Sequence, residues 1–176
     1  MFKRLLALAL RARDPEHRRR VALLAETPLF AGLRKRLLGR LAVRLFAKSY
    51  AAGELVFREG EPGRALYVVA KGTVDIVREE AGSELVLARF AAPASFGELA
   101  LIDELPRRAT ARAAVDSELL LLYRTHFDEL LEGDREVALA LCRRMLVTLA
   151  RYSRARDLAS PAEAVGPDPE RRAEAR

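Results

Sequence analysis

Residues 96–110 read FGELALIDELPRRAT, and the chemistry of the chain concentrates there. Phe96 precedes a Gly97-Glu98 pair, Leu99 and Ala100 open a short apolar run, and Pro106 leads into Arg107, Arg108, Ala109 and Thr110. A phosphate is held by converging backbone N–H groups and by the paired donors of a guanidinium fork. Gly97 permits close backbone approach. Glu98 offers two carboxylate oxygens, which suit a pair of sugar hydroxyls. Pro106 fixes the backbone just ahead of Arg107, and Thr110 adds a hydroxyl. The set suits an anionic ligand that carries a sugar. An ion pair between Glu98 and one of the arginines accounts for the same letters equally well.

Other chemistries lack their residues. The single cysteine, Cys142, excludes a disulfide framework and a cysteine-cluster metal site. His17 and His126 lie far apart, so no metal spacing follows from them, and none is expected. No nucleophile–base constellation and no phosphate-cradling Walker loop occurs, so the chain is not expected to be an enzyme.

The elements that must position this stretch can be read from periodicity. From Tyr50 onward, turn signals at Gly53, Gly60–Gly63, Gly72, Gly82-Ser83, Pro93 and Asp116-Ser117 separate short runs rich in Val, Leu, Ile, Phe and Tyr. The runs are LVF, ALYVVA, TVDIV, ELVLARF, ARAAV and ELLLLY. Short strands at this spacing indicate an all-β sandwich or barrel. In TVDIV, Val74 and Ile76 alternate with Thr73, Asp75 and Val77, which predicts a half-buried strand.

Helical periods flank the strands. A short amphipathic helix is expected over residues 2–13. Asp14-Pro15 stops it and starts another that runs to about Glu26. Residues 33–46 alternate basic and apolar residues at helical spacing. After Tyr123 the period is helical again, with a short helix over 126–133 and a longer one from about Asp134 to Asp157. In the latter, Ala138, Leu141, Cys142, Met145, Leu149 and Tyr152 form a stripe, broadened by Leu139 and Leu146, that must bury against the strands or against a second copy. From about residue 159 the chain turns to Pro, Ala, Glu and Arg, and a disordered tail is expected over 159–176.

Charge is distributed unevenly. Residues 1–44 hold twelve Lys and Arg against three acids, although the whole chain of 176 residues carries only +6. The basic segment, 1–27 in particular, suits an acidic partner, nucleic acid or an anionic membrane surface, with residues 2–13 as the candidate membrane contact. The opening MFKRLLALALRARD is similar to the start of a secretory signal. Its apolar run spans only Leu5 to Leu10 and is followed by Arg11, so a cytoplasmic protein is expected.

Taken together, FGELALI followed by PRRAT resembles the phosphate-binding cassette of cyclic nucleotide-binding domains, the family of cAMP-dependent kinase regulatory subunits, nucleotide-gated channels and catabolite activator-like regulators. PLFAGL at 28–33 and YAAGELVFREGEPGRALYVVAKGTVDIV at 50–77 stand in the family's order, and so do the helices after Tyr123. The resemblance implies a mainly β fold, an eight-stranded antiparallel β-roll over about 48–124, within a domain at 28–158. It adds N-terminal helices and a long C-terminal lid and dimerisation helix.

The ligand implied is cAMP or cGMP. The cassette residues Phe96, Gly97, Glu98, Leu99 and Ala100 would surround the phosphate and ribose, with Glu98 on the 2′-hydroxyl. Arg107 matches the phosphate arginine, a shift of one residue makes it Arg108 instead, and Ala109 and Thr110 complete the segment. Tyr152 and Ser153 fall where catabolite activator-like proteins place two hydroxyl residues against the base. Two features depart from the pattern: Pro93-Ala94-Ser95 replaces a Gly-rich turn, and Arg108 stands where relatives carry a small residue.

The resemblance further implies a homodimer through the 138–152 stripe and signalling to an output protein that the sequence does not identify. After the long helix only 19 residues remain, from Leu158 to Arg176, too few and too polar for the helix-turn-helix of the transcription regulators. Sequence-specific DNA binding is therefore not expected. The alternative function is a nucleotide-free scaffold for dimerisation or protein interaction; peripheral membrane attachment through the basic N-terminus is compatible with either function.

Overall fold

The structure, a computed structural model, describes residues 14–80, 82–103 and 105–159, with the side chains of its last helix followed to Arg154 except Tyr152. The helix expected over 2–13 and the tail beyond Ala159 lie outside the described residues.

Helix α1 spans Pro15–Glu26 and begins as its sequence prescribes: the Asp14 side chain accepts a hydrogen bond from the Glu16 N–H at 2.9 Å, and proline occupies the first turn. Helix α2 covers only Lys35–Ala42, although the helical spacing continues to Phe46. After Leu45, which is buried, the chain is extended, and Phe46 pairs with Leu121 across a sheet. Strand pairing thus overrides the helical pattern in its last turn. Only the first residue of this strand, β1 (Phe46–Tyr50), fell inside the helical spacing.

The remaining strands follow their apolar runs: β2 (Leu55–Phe57), β3 (Ala65–Lys71), β4 (Thr73–Glu80), β5 (Ser83–Ala91), β6 (Ser95–Phe96), β7 (Thr110–Ala113) and β8 (Ser117–Tyr123). They form two four-stranded antiparallel sheets, β1-β8-β3-β6 and β2-β7-β4-β5, closed on each other as a roll. The alternation expected in β4 fails at Val77, which is buried, where the β4–β5 register shifts. Helix α3 (Arg124–Gly133) and helix α4 (Arg135–Ala159) complete the chain.

Two cores explain why ALYVV and ELLLLY carry apolar residues without alternation. Ala65, Tyr67, Val69, Leu119 and Leu121 face the interior of the roll, packed with Val74, Phe96 and Ala111. Their neighbours Leu66, Val68, Leu120 and Leu122 point the other way, into a second core shared with all four helices. Strands covered on both faces read as continuous hydrophobic runs.

The stripe of α4 is buried only in part. Ala138, Leu141 and Met145 bury in the helical core of the same chain, so this part of the stripe meets the roll and its helices. Leu139 and Leu146 remain 72% and 66% exposed. The basic segment also finds partners within the chain. Arg36 and Arg40 both reach Glu136, at 2.7 and 2.6 Å, Arg40 also meets Asp134 at 3.0 Å, and Arg44 meets Glu129 at 2.8 Å. Arg144 of α4 returns the connection, donating to the carbonyl oxygens of Pro28 and Leu29. Part of the charge that suited an external acidic partner is thereby met by α3, by α4 and by Asp134 between them.

Candidate nucleotide-binding site

The loop carrying Arg107 is tied to the turn at residues 59–62. The Arg107 N–H donates to the Glu61 carbonyl at 2.8 Å, and the Gly60 N–H donates to the Arg107 carbonyl at 2.9 Å. Pro62 and Pro106 form an isolated bridge between the same segments. Thr110 joins this lacing, because its hydroxyl accepts from the Glu59 N–H at 3.0 Å. EGEPG and LPRRAT are therefore two halves of one preorganised loop pair. A second contact sets its depth: a Cβ on Gly63 would lie 2.9 Å from the Ala100 Cβ, so the glycine lets the cassette pack directly on the β2–β3 turn.

Held this way, the Arg107 side chain runs inward beneath the cassette. One Nη donates to the Ala65 carbonyl at 2.7 Å and the other lies 3.4 Å from the Gly97 carbonyl. The guanidinium stacks 4.1 Å from the Phe57 ring centre and 5.5 Å from that of Tyr67. Its Nε is buried without a hydrogen-bond partner. Among the described residues no carboxylate forms an ion pair with it, so the Glu98–arginine pair that the letters allowed is not made. Burial pulls the guanidinium below its ordinary value, against the opposing influence of Tyr67, Asp103 and Glu61. It nonetheless remains a cation.

Gly97 has φ +77°, and a Cβ there would lie 2.8 Å from an Arg107 Nη. Both the left-handed backbone and the space require glycine. Glu98 then opens a one-turn 3-10 helix, Glu98–Leu101. Burial raises the Glu98 carboxyl above its ordinary value, offset by its own backbone amide and by Arg107. A partly desolvated acid and a partly desolvated cation thus share one site without neutralising each other. Groups so arranged are candidates for binding or catalysis.

Both residues open onto a cleft of about 740 Å³. Phe96, Gly97, Glu98, Leu99, Ala100 and Ala109 line it with Arg107. Arg108 reaches the rim but is exposed, so Arg107 is the arginine directed inward. Thr110 is not part of the wall. Among the described side chains of α4, Leu149 lines the cleft, while Ser153 is exposed and the Tyr152 side chain lies outside the described set. The aromatic floor went unread in the sequence: Phe57 and Phe90 flank Phe96, which stacks on Tyr67 with centroids 5.1 Å apart and planes 6° from parallel. Nothing in the letters of β2 or β5 marked these rings as facing a ligand.

A partly buried arginine and an acid that form no ion pair among the described residues share the cleft with an apolar wall inside a β-roll, an arrangement suited to an anion. Residues 47–134 match the model of the cyclic nucleotide-binding domain, and the chain belongs to that family. It is 40% identical over 103 residues to the cyclic AMP receptor protein of Thermus thermophilus, covering 57% of this chain and 47% of that one. The chain thus spans about half the length of this relative. The N-terminal domain of a transcriptional regulator from Streptomyces coelicolor superposes with a TM-score of 0.69 at 34% identity, covering 82% of this chain and 99% of that one. The regulatory domain of Toxoplasma gondii PKA, co-crystallised with cAMP, superposes with a TM-score of 0.60 at 28% identity, over 66% and 44% of the two chains. Among the described residues no helix is long and apolar enough to cross a membrane, and no group of three or more His, Cys, Asp or Glu could hold a metal ion.

Proposed function

We propose that the chain is a non-catalytic cytoplasmic sensor of cAMP or cGMP that passes its state to another protein through α4. The carrying observation is Arg107, a partly buried guanidinium whose buried Nε has no partner and which no carboxylate among the described residues pairs with, beside the Glu98 acid. A cyclic phosphate would give that guanidinium its counter-ion. Glu98, one residue past the left-handed Gly97, would take the ribose hydroxyl, and the base would lie against the apolar wall beneath Leu149. Tyr152 and Ser153, one turn further along α4, would close over it. Ligand contacts with α4 would favour the arrangement in which the helix is held on the cleft, a population shift. A partner that prefers that arrangement must in turn tighten nucleotide binding.

Calorimetric titration with cAMP, cGMP and cyclic di-GMP tests this reading. Saturable heat with cAMP or cGMP is the expected result. Absence of heat with all three, from folded protein, would move the function to the scaffold reading, which the exposed Leu139 and Leu146 of α4 favour. Attachment to membrane through residues 2–13 is compatible with either. Vesicle co-sedimentation of the full chain against one starting at Pro15 decides it, and equal binding by the two removes that role.

A further inference from the structure

A second cavity, of about 340 Å³, lies on the other side of Arg107. It is formed where the inner face of the β1-β8-β3-β6 sheet opens toward β2 and the 61–64 turn. Arg107 and Phe57 line both this cavity and the cleft, so the stacked guanidinium and ring form the partition between them. The rear wall is cationic. Lys48 and Arg64 line it with Arg107, and Glu61 is the one acid among the lining residues. Neither Lys48 nor Arg64 forms an ion pair among the described residues; Lys48 instead sits 4.6 Å over the Tyr50 ring. Three phenols, Tyr50, Tyr67 and Tyr123, stand in the lining, with Val56, Pro62, Ala65 and Leu121 as its apolar part. The register explains the cluster: Ala65 pairs with Tyr123 and Tyr67 with Leu121, and Lys48 and Tyr50 stand two apart on the neighbouring strand.

Three cations against one carboxylate, with phenol donors around them, make a site for negative charge. The geometry points to this rear cavity as a second binding site, for a small carboxylate- or phosphate-bearing metabolite. Its volume is under half that of the cleft, so a nucleotide is not the class it fits. Burial supports a site that favours donors over further anions: the Tyr50 phenol is pushed up to about 12, first by burial and then by Tyr123 and Glu54. A ligand here and an anion in the cleft would face one guanidinium from its two sides. If Arg107 also takes the nucleotide phosphate, as proposed above, the two anions repel each other and share a donor, and their binding is negatively coupled.

The chain reports on this cavity itself. It has four tyrosines and no tryptophan, and three of the four line the rear wall. Tyrosine fluorescence is followed during titration with citrate and, separately, with inorganic phosphate, against sodium chloride at matched ionic strength. The two arms distinguish a carboxylate from a phosphate ligand. The same titrations are run on Lys48→Gln/Arg64→Gln, both exposed positions, and on Glu98→Gln, which alters only the cleft. A saturable change in the wild type and in Glu98→Gln, weakened about tenfold or more in the double variant, is expected. No change beyond the chloride control, or one unaffected in the double variant, overturns the site. Nucleotide titration of the double variant is separate: binding retained there, with or without a rear ligand, bears on the cleft alone.

Discussion

Replacing Arg107 with methionine separates what the residue does for the fold from what it does for a ligand. In the free protein the guanidinium makes one short bond to the Ala65 carbonyl and a weak one to Gly97, and it stacks on Phe57. A charge-assisted bond contributes about 1.5–3 kcal/mol, and a partly desolvated cation–π contact contributes about 0.5–2 kcal/mol. Against these stands the cost of holding a cation out of water, several kcal/mol per ion after relaxation by order of magnitude. Asp103 and Glu61 offset that cost only in part, no carboxylate among the described residues pairs with the guanidinium, and Nε has no acceptor. Methionine keeps an apolar stem and a sulfur against Phe57 and Tyr67 while removing the charge. Arg107→Met should therefore change unfolding free energy by no more than about 1–2 kcal/mol in either direction, the opposing contributions being of similar size.

Nucleotide affinity should behave differently. Leaving a buried anion without its partner costs about 2–5 kcal/mol, or roughly 30-fold to several thousand-fold in Kd. Urea denaturation and calorimetry with cAMP on the same samples give both numbers. Arg108→Ala, at the exposed rim, is the control and should shift affinity only a few-fold. The reasoning fails if Arg107→Met loses 3 kcal/mol or more of stability, which would make the arginine a structural member of the roll. It fails equally if Arg107→Met binds cAMP as the wild type does.

Three further outcomes follow from the same geometry. Gly97→Ala forces a side chain into φ +77° against an Arg107 Nη, and should lower stability by about 1–3 kcal/mol while weakening nucleotide binding; unchanged denaturation and binding would refute the close approach. Burial holds the Glu98 carboxyl above its ordinary value, so its contribution to stability is present at low pH and is lost as pH rises through the folded-state pKa. Glu98→Gln should consequently gain stability over the wild type as pH increases from about 4 to 7; a gap that shrinks over that range contradicts the sign. Leu141→Ala, in the helical core, should cost about 2–5 kcal/mol, while Leu139→Ala should stay within about 0.5 kcal/mol in the monomer; comparable losses at both positions in urea would contradict the assignment of the buried face.

How far the sequence reached depended on which physical signal was local. The six apolar runs became strands because each carries its own turn residues and β-branched or aromatic content. The start of β1 did not stand out, because Leu45 and Phe46 continue the three- and four-residue spacing of α2, and only pairing with β8 ends it. β6 has two residues, too few for any period. The cassette was legible because Gly97, Glu98 and Arg107 are chemically distinctive and close in sequence. Its floor was not: Phe57 and Phe90 come from two different strands, and inward-facing aromatics on strands are ordinary core residues until the roll closes around them.

The choice between Arg107 and Arg108 shows why adjacency alone cannot assign a ligand. Two neighbouring residues in an extended loop point in opposite directions, so a shift of one residue exchanges the inner arginine for the outer. What fixes the register is outside the motif, in the bonds that the 60–62 turn makes with the Arg107 backbone and in the Pro62–Pro106 bridge. The same lacing brings Glu61 and Arg64 to the rear of the guanidinium, so the turn that aims Arg107 at one anion also builds a second cationic wall behind it. A substitution in EGEPG would therefore act on both cavities at once, whereas Glu98 acts on the cleft and Lys48 on the rear. That division is why the two sites can be tested separately despite sharing one side chain.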